Sequence, residues 1–159
     1  MASIFTIAGI TIKASKMIIN LIILILYRTG YGGEFLGVGG TWNLNEDKSP
    51  DVEIIASGVF VGFFIYTGVV LVSYAFGTLE HKKTIVEIIM NFVGMFMYIA
   101  VGAIALHYWF GYQSEHKYVH VSSERQIGLT LGFLCILQGA AYLMDCLLTI
   151  FFFAKDDFN

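Results

Sequence analysis

The chain has 159 residues, of which 57% are hydrophobic and only 13% are charged, with a net charge of −3 and a mean hydropathy of +0.75. A soluble domain carries about 25% charged residues, so this composition indicates a membrane protein. Four spans of about 20 residues each would take up more than half of the length and leave no room for a separate soluble domain. The small net charge and the lack of a long basic run exclude nucleic acid as a partner.

Four apolar segments are each long enough to cross about 30 Å of hydrocarbon. Because a segment in lipid must close its backbone hydrogen bonds within itself, each is predicted to be an α-helix. We therefore expect one all-α domain over residues 1–159, a bundle of four transmembrane helices surrounded by membrane lipid. The predicted spans cover about residues 4–27, 54–76, 85–109 and 127–153, and the two longer loops cover about residues 28–53 and 110–126.

The first segment is interrupted by Lys13 and Lys16, which leave only residues 17–27 fully apolar. A short apolar run behind basic residues is also typical of a cleaved signal peptide. A retained span is favoured because the region before the run is itself apolar, Arg28 follows directly, and no small-residue cleavage site comes next. In a retained span the two lysines are expected to extend towards the nearer membrane surface.

The first long loop is predicted to be compact. Residues 30–51 contain six glycines, which permit tight turns, together with apolar side chains that a flexible linker would not need. We expect this loop to lie on the outer end of the bundle, with Trp42 as a buried or interfacial anchor. Phe35, Trp42 and Asn43 are its candidate partner contacts. The acidic stretch over residues 45–53 is either a solvated surface or a specific contact site.

Two spans carry pairs of glycines four residues apart, a spacing that lets two helix backbones approach closely. Gly58 and Gly62 form the pair in the second span, and Gly128 and Gly132 form the pair in the fourth. We predict that all four are helix-packing residues, either within the bundle or against another membrane protein.

Charged residues within the spans indicate either a functional site or internal ion pairing. Counted along the helices at about 1.5 Å per residue, Glu87 and Asp145 reach the same membrane boundary, close to the level of Lys13. These three residues are predicted to make intramembrane electrostatic contacts, as an interhelical ion pair or as solvated interface carboxylates. A proton or ion path lined by Glu87, Asn91 and Asp145 is the alternative.

No group of residues in the sequence predicts catalysis. There is no nucleophile beside a base and no phosphate-binding loop, and the loop glycines lack the helix start of a dinucleotide fingerprint. His116 and His120 alone are too few for a metal site. We expect no enzyme activity, cofactor or metal. Cys135 and Cys146 are too far apart on one helix to form a disulfide and are predicted to be buried, with palmitoylation of Cys146 as the alternative.

An even number of spans places both termini on one side of the membrane. Five of the nine lysines and arginines lie on that side, including Lys82 and Lys83 in the short turn between the second and third spans. The positive-inside rule then predicts cytoplasmic termini and two extracellular loops, of which the first is larger. Trp109 and Tyr112 lie at the outer interface and are further candidate partner contacts, because aromatic side chains are effective interface anchors.

Several runs of the sequence resemble the Snakeskin family, small four-span proteins of insect smooth septate junctions. The resemblance implies a structural component of an occluding junction in gut and renal-tubule epithelia, with Mesh and a tetraspanin of the same junction as partners, and it implies no catalytic residues. It extends from about Lys13 to Asp145. The runs that carry it are LYRTG, FLGVGGTWNLNEDKSPDVEIIASGV, IVEIIMNFVG, IAVGAIALHYWFGY and SERQIGLTLG.

We therefore expect a non-enzymatic cell-junction protein of the lateral plasma membrane, required for assembly of the smooth septate junction and for the epithelial paracellular barrier. Its loops would contact other junction membrane proteins, and a homo-oligomer is compatible with the same surfaces. Two alternatives remain. One is a small transporter or channel subunit, and the other is an accessory subunit of a larger membrane complex.

Overall fold

The computed structural model describes residues 4–29, 50–77, 85–111 and 121–157, and nearly all of them are α-helical. The helices are α1 (Ile4–Thr29), α2 (Pro50–Phe76), α3 (Ile85–Gly111) and α4 (Val121–Asp157). Each contains an apolar stretch of 22 to 30 residues, and about 20 residues are enough to cross the hydrocarbon. The predicted all-α class with four span-length helices is confirmed.

Local sequence explains where α2 begins and ends. Pro50 occupies the first helical position, where its missing N–H removes no helical hydrogen bond. The N–H of Gly77, directly after the helix, donates to the Ser73 carbonyl oxygen at 2.7 Å. Glycine is common just after the last helical residue because it continues into conformations that other residues avoid. Helix α2 therefore ends where the apolar run of the sequence ends.

The bundle carries apolar side chains on its outside and charged side chains inside. Large apolar residues such as Ile65 and Phe151 are more than half exposed, whereas Lys13, Lys16 and Asp145 are each 1% exposed. A water-soluble protein shows the reverse distribution. Hydrocarbon around the helices explains the distribution seen in this bundle, because charged groups in a membrane turn towards the interior of the bundle. The four helices thus indicate a multi-pass membrane protein.

The helices are packed unequally. Helices α3 and α4 share the most extensive contact, α1 packs against both α4 and α2, and α2 touches α3 only slightly. A cluster of aromatic rings fills the centre, where the ring centroids of Phe63, Tyr98 and Tyr142 lie 5.3 to 5.9 Å apart. These rings join α2, α3 and α4, and charged side chains lie against them.

Candidate functional site: a buried charge cluster and two glycine pairs

Four charged side chains from three helices meet inside the bundle. Lys13 and Lys16 lie one turn apart on α1, while Glu87 comes from the first turn of α3 and Asp145 from α4. The Lys13 Nζ lies 2.5 Å from Glu87 Oε1 and 2.8 Å from Asp145 Oδ1. The Lys16 Nζ lies 2.5 Å from Asp145 Oδ2, so the Asp145 carboxylate bridges both lysines. The two positive and two negative charges balance.

Polar and aromatic groups complete the surroundings of the two ammonium groups. Asn91 Oδ1 accepts a hydrogen bond from Lys16 Nζ at 3.0 Å, and the centroid of the Tyr142 ring lies 4.0 Å from the same nitrogen. The centroid of the Tyr74 ring lies 4.4 Å from Lys13 Nζ, and the Tyr74 hydroxyl donates to a carboxylate oxygen of Glu87 at 3.2 Å. Both nitrogen-to-ring distances are within the range of cation–π contacts. Helix α2 therefore joins the charge cluster through Tyr74.

This charge cluster explains how α1 stays in the membrane. A single lysine at the centre of a membrane helix opposes insertion by about 2.5 to 3.5 kcal/mol. Both lysines of α1 instead face carboxylates contributed by α3 and α4. Removing one partner of such a buried pair typically costs about 3 to 5 kcal/mol, because a buried charge is left uncompensated. The arrangement is therefore suited to holding three helices together.

The two lysines do not extend towards the membrane surface, which corrects the prediction made from the sequence. Their side chains are only 2% exposed because their acidic partners lie inside the bundle. The structure brings Lys13, Glu87 and Asp145 together with Asn91, which was predicted only as part of the alternative ion path, and it adds Lys16, which was not predicted to take part. Helical spacing could have indicated both, since Lys16 lies three residues after Lys13 and Asn91 lies four after Glu87.

The glycine pair of α4 forms a close contact with α3. A Cβ atom added at Gly128 would overlap the indole ring of Trp109, and one added at Gly132 would lie 2.8 Å from Leu106. Gly102 of α3 meets this surface, because a Cβ there would lie 2.9 Å from the Gly132 carbonyl oxygen. Helices α3 and α4 can approach this closely only because these side chains are absent.

The glycine pair of α2 is not used within the bundle. Gly58 and Gly62 are both exposed, and apart from the neighbouring backbone of α2 itself no described atom lies within 4 Å of a Cβ added at either position. Of the two roles predicted for this pair, packing within the bundle does not apply to the described helices. Contact with another membrane protein stays a prediction.

Trp109, predicted as a partner contact near the end of α3, lies buried inside the bundle. Trp109 is 0% exposed and lies against Gly128. Because a fully buried ring offers no surface to a partner, we assign Trp109 to packing between α3 and α4, which corrects its predicted role. The other predicted contacts, Phe35, Trp42, Asn43 and Tyr112, lie outside the described residues.

Two Snakeskin proteins are similar in sequence to this chain along nearly its whole length. The chain is 60% identical to Protein snakeskin of Bombyx mori over 156 residues, which are 98% of this chain and 99% of that protein. It is 56% identical to Protein snakeskin of Drosophila melanogaster over 157 residues, which are 99% of this chain and 97% of that protein. No protein-family model matches the chain, and no solved structure matches it.

Proposed function

The chain belongs to the Snakeskin family, and on that basis we propose that it is a structural component of the insect smooth septate junction. Its role is to support junction assembly and the paracellular barrier in gut and renal-tubule epithelia. The observation that carries this proposal is the 60% identity to a Snakeskin protein across 98% of the chain. The aligned 156 residues leave room for no more than three unaligned positions (159 − 156), so the alignment spans all four helices and both long loops.

In this proposal the bundle sits in the lateral plasma membrane with both termini in the cytoplasm. The basic residues Lys82 and Lys83, which lie in the sequence between α2 and α3, support that orientation. The larger loop, which joins α1 to α2 over residues 30–49, is then extracellular and faces the intercellular space. Phe35, Trp42 and Asn43 in this loop are the proposed contacts with junction partners.

A second contact surface is proposed within the membrane. The open glycine pair of α2 supports it, since Gly58 and Gly62 leave room for another helix backbone to approach. The proposed occupants of these surfaces are the junction partners implied by the family resemblance, Mesh and a tetraspanin. A second copy of this chain is the alternative occupant.

A structural role fits the charge cluster better than ion transport does. Each carboxylate of the cluster is held by at least one ammonium group at 2.5 to 2.8 Å. A conducting path would need carboxylates that exchange partners with water or ions, and these two are occupied by fixed lysines. Proton or cation flux through liposomes that contain only this protein, lost on Glu87→Gln, would favour the transport alternative instead.

Replacement of the endogenous protein in an insect midgut tests the proposed function. The tagged chain should form a lateral belt at the junction and restore retention of a dye fed to the gut. Trp42→Ala should reach the membrane but recruit partners poorly, which separates the loop contacts from insertion. Diffuse or vesicular staining of the wild-type chain together with an intact barrier after depletion would contradict the proposal.

A further inference from the structure

The middle of the bundle contains buried polar atoms whose hydrogen-bonding capacity is not used. Asn20, Asn91, Tyr98 and Gln138 are each 0 or 1% exposed. Among the described residues, no hydrogen-bond partner is found for one atom of each side chain, namely Asn20 Oδ1, Asn91 Nδ2, the Tyr98 hydroxyl and Gln138 Oε1. Leaving one such atom unsatisfied in a buried setting costs about 1 to 3 kcal/mol. Several of them together point to a bound molecule.

The four side chains lie around Lys16, as their hydrogen bonds, contacts and helix positions show. The Gln138 Nε2 donates to the Lys16 carbonyl oxygen at 2.8 Å, and the Lys16 Nζ donates to Asn91 Oδ1 at 3.0 Å. The Gln138 side chain lies within interaction distance of the Tyr98 hydroxyl, in a geometry that leaves the hydroxyl and Gln138 Oε1 without a well-aligned hydrogen bond. Asn20 lies one turn after Lys16 on α1. Three helices thus contribute to the region.

The existing hydrogen bonds fix which atoms are left over. Asn20 Nδ2 donates to the Phe60 carbonyl oxygen at 3.1 Å, and Gln138 Nε2 donates to Lys16, so both of these amides present an oxygen that can accept. Asn91 has its oxygen occupied by Lys16 and presents an amide N–H. The Tyr98 hydroxyl can both donate and accept. Acceptors and donors are therefore both present, as a water molecule requires.

We propose that Asn20, Tyr98 and Gln138 hold an internal water molecule near the middle of the membrane. Asn91 lies two helical turns before Tyr98 on α3, about 10 Å away along the helix, and belongs to the charge cluster instead. Tyr98 lies thirteen residues (98 − 85) into the span Ile85–His107, which is about 20 Å along the helix. A cation does not fit this position, because Asn20, Tyr98 and Gln138 offer only neutral amide and hydroxyl groups, and both carboxylates of the charge cluster are paired with its lysines. Water satisfies the unused atoms on all three helices without adding charge.

Radiolytic labelling of the full chain in lipid nanodiscs tests this site. An X-ray pulse converts bound water into hydroxyl radicals, and mass spectrometry then measures how fast each buried side chain is modified. Tyr98 should be labelled although its ring is fully buried. If Tyr98 stays unlabelled in the wild-type protein, the proposal is overturned. This outcome can be read from the wild-type protein alone.

Two variants locate the water. Asn20→Leu removes one of the acceptors and should reduce the labelling of Tyr98 by at least about threefold, because a buried water needs two or more polar partners. Thr67→Val is the matched control, since the Thr67 hydroxyl already has a partner in the Tyr142 hydroxyl at 2.7 Å. Labelling of Tyr98 that is the same in wild type and Asn20→Leu would remove Asn20 from the site and overturn the proposal as stated.

Discussion

Helices α4 and α2 carry the same glycine spacing but use it in different ways. In α4 the pair Gly128 and Gly132 is buried against α3, whereas in α2 the pair Gly58 and Gly62 is exposed and in contact with nothing described. The two spans also differ in burial, with 44% of the α4 span buried and 28% of the α2 span. The same pattern therefore produces an internal contact in one helix and an open surface in the other.

The charge cluster explains this difference. Asp145 of α4 pairs with both lysines of α1, and Lys13 also pairs with Glu87 of α3. These ion pairs hold α4 beside α1 and α3. The α2 span Ile54–Phe76 contains no charged residue and joins the bundle through neutral groups such as Tyr74. Once α4 is held in the interior, its glycines allow α3 to approach. In this bundle the small-residue pattern gives close packing in the helix that also contributes a charge to the cluster.

The largest effect is expected from Asp145→Asn in α4. The variant leaves two buried ammonium groups with one carboxylate, so the free energy of unfolding should fall by about 3 to 5 kcal/mol. Unfolding of the purified protein in detergent micelles measures this change. The double variant Asp145→Asn with Lys16→Met removes one charge of each sign and should be more stable than the single variant. Equal stability of wild type and Asp145→Asn would show that the charge cluster does not hold α4.

A smaller but still large loss of stability is expected from Gly128→Leu. The new side chain would overlap the ring of Trp109, and overpacking of this kind costs about 1 to 3 kcal/mol or more. The thermal midpoint in detergent and the near-ultraviolet signal of Trp109 would both change. Gly128→Leu with an unchanged midpoint would contradict the close contact between α3 and α4.

Thr67→Val tests an uncharged hydrogen bond between α2 and α4. The Thr67 hydroxyl of α2 shares a hydrogen bond of 2.7 Å with the Tyr142 hydroxyl of α4. Interhelical hydrogen bonds in membranes contribute about 0.6 kcal/mol on average, so the loss of stability should be of that size. A double-mutant cycle with Tyr142→Phe isolates the pair, and a coupling energy of zero would argue against the bond.

Gly58→Leu should have the smallest effect on stability and is the matched control for Gly128→Leu. Because a side chain at Gly58 would meet no other described part of the bundle, the free energy of unfolding should change by less than about 0.5 kcal/mol. The effect should appear instead in co-purification of junction partners from midgut membranes, which the bulky side chain would weaken. Full partner recovery with Gly58→Leu would mean that lipid, rather than a partner helix, covers this face.

Residue type along single segments was enough to predict the four helices and their membrane environment. Length, apolarity and the near absence of charge in the spans are properties of one segment at a time, and backbone hydrogen bonding in lipid leaves helix as the outcome. The levels of Lys13, Glu87 and Asp145 could also be estimated, because the rise per residue is constant in a helix. The family resemblance likewise depends on runs such as FLGVGGTWNLNEDKSPDVEIIASGV and needs no structure.

Which residues face one another was decided only by the tertiary structure. Lys16 and Asp145 are 129 residues apart, and nothing local distinguishes a lysine that reaches the membrane surface from one that turns inward to a carboxylate on another helix. The same holds for the two glycine pairs, whose spacing is identical and whose neighbours are not. Burial of Trp109 likewise requires the missing side chain of Gly128 on the next helix. Helix formation depends on each segment and its solvent, whereas pairing depends on the positions of all four helices together.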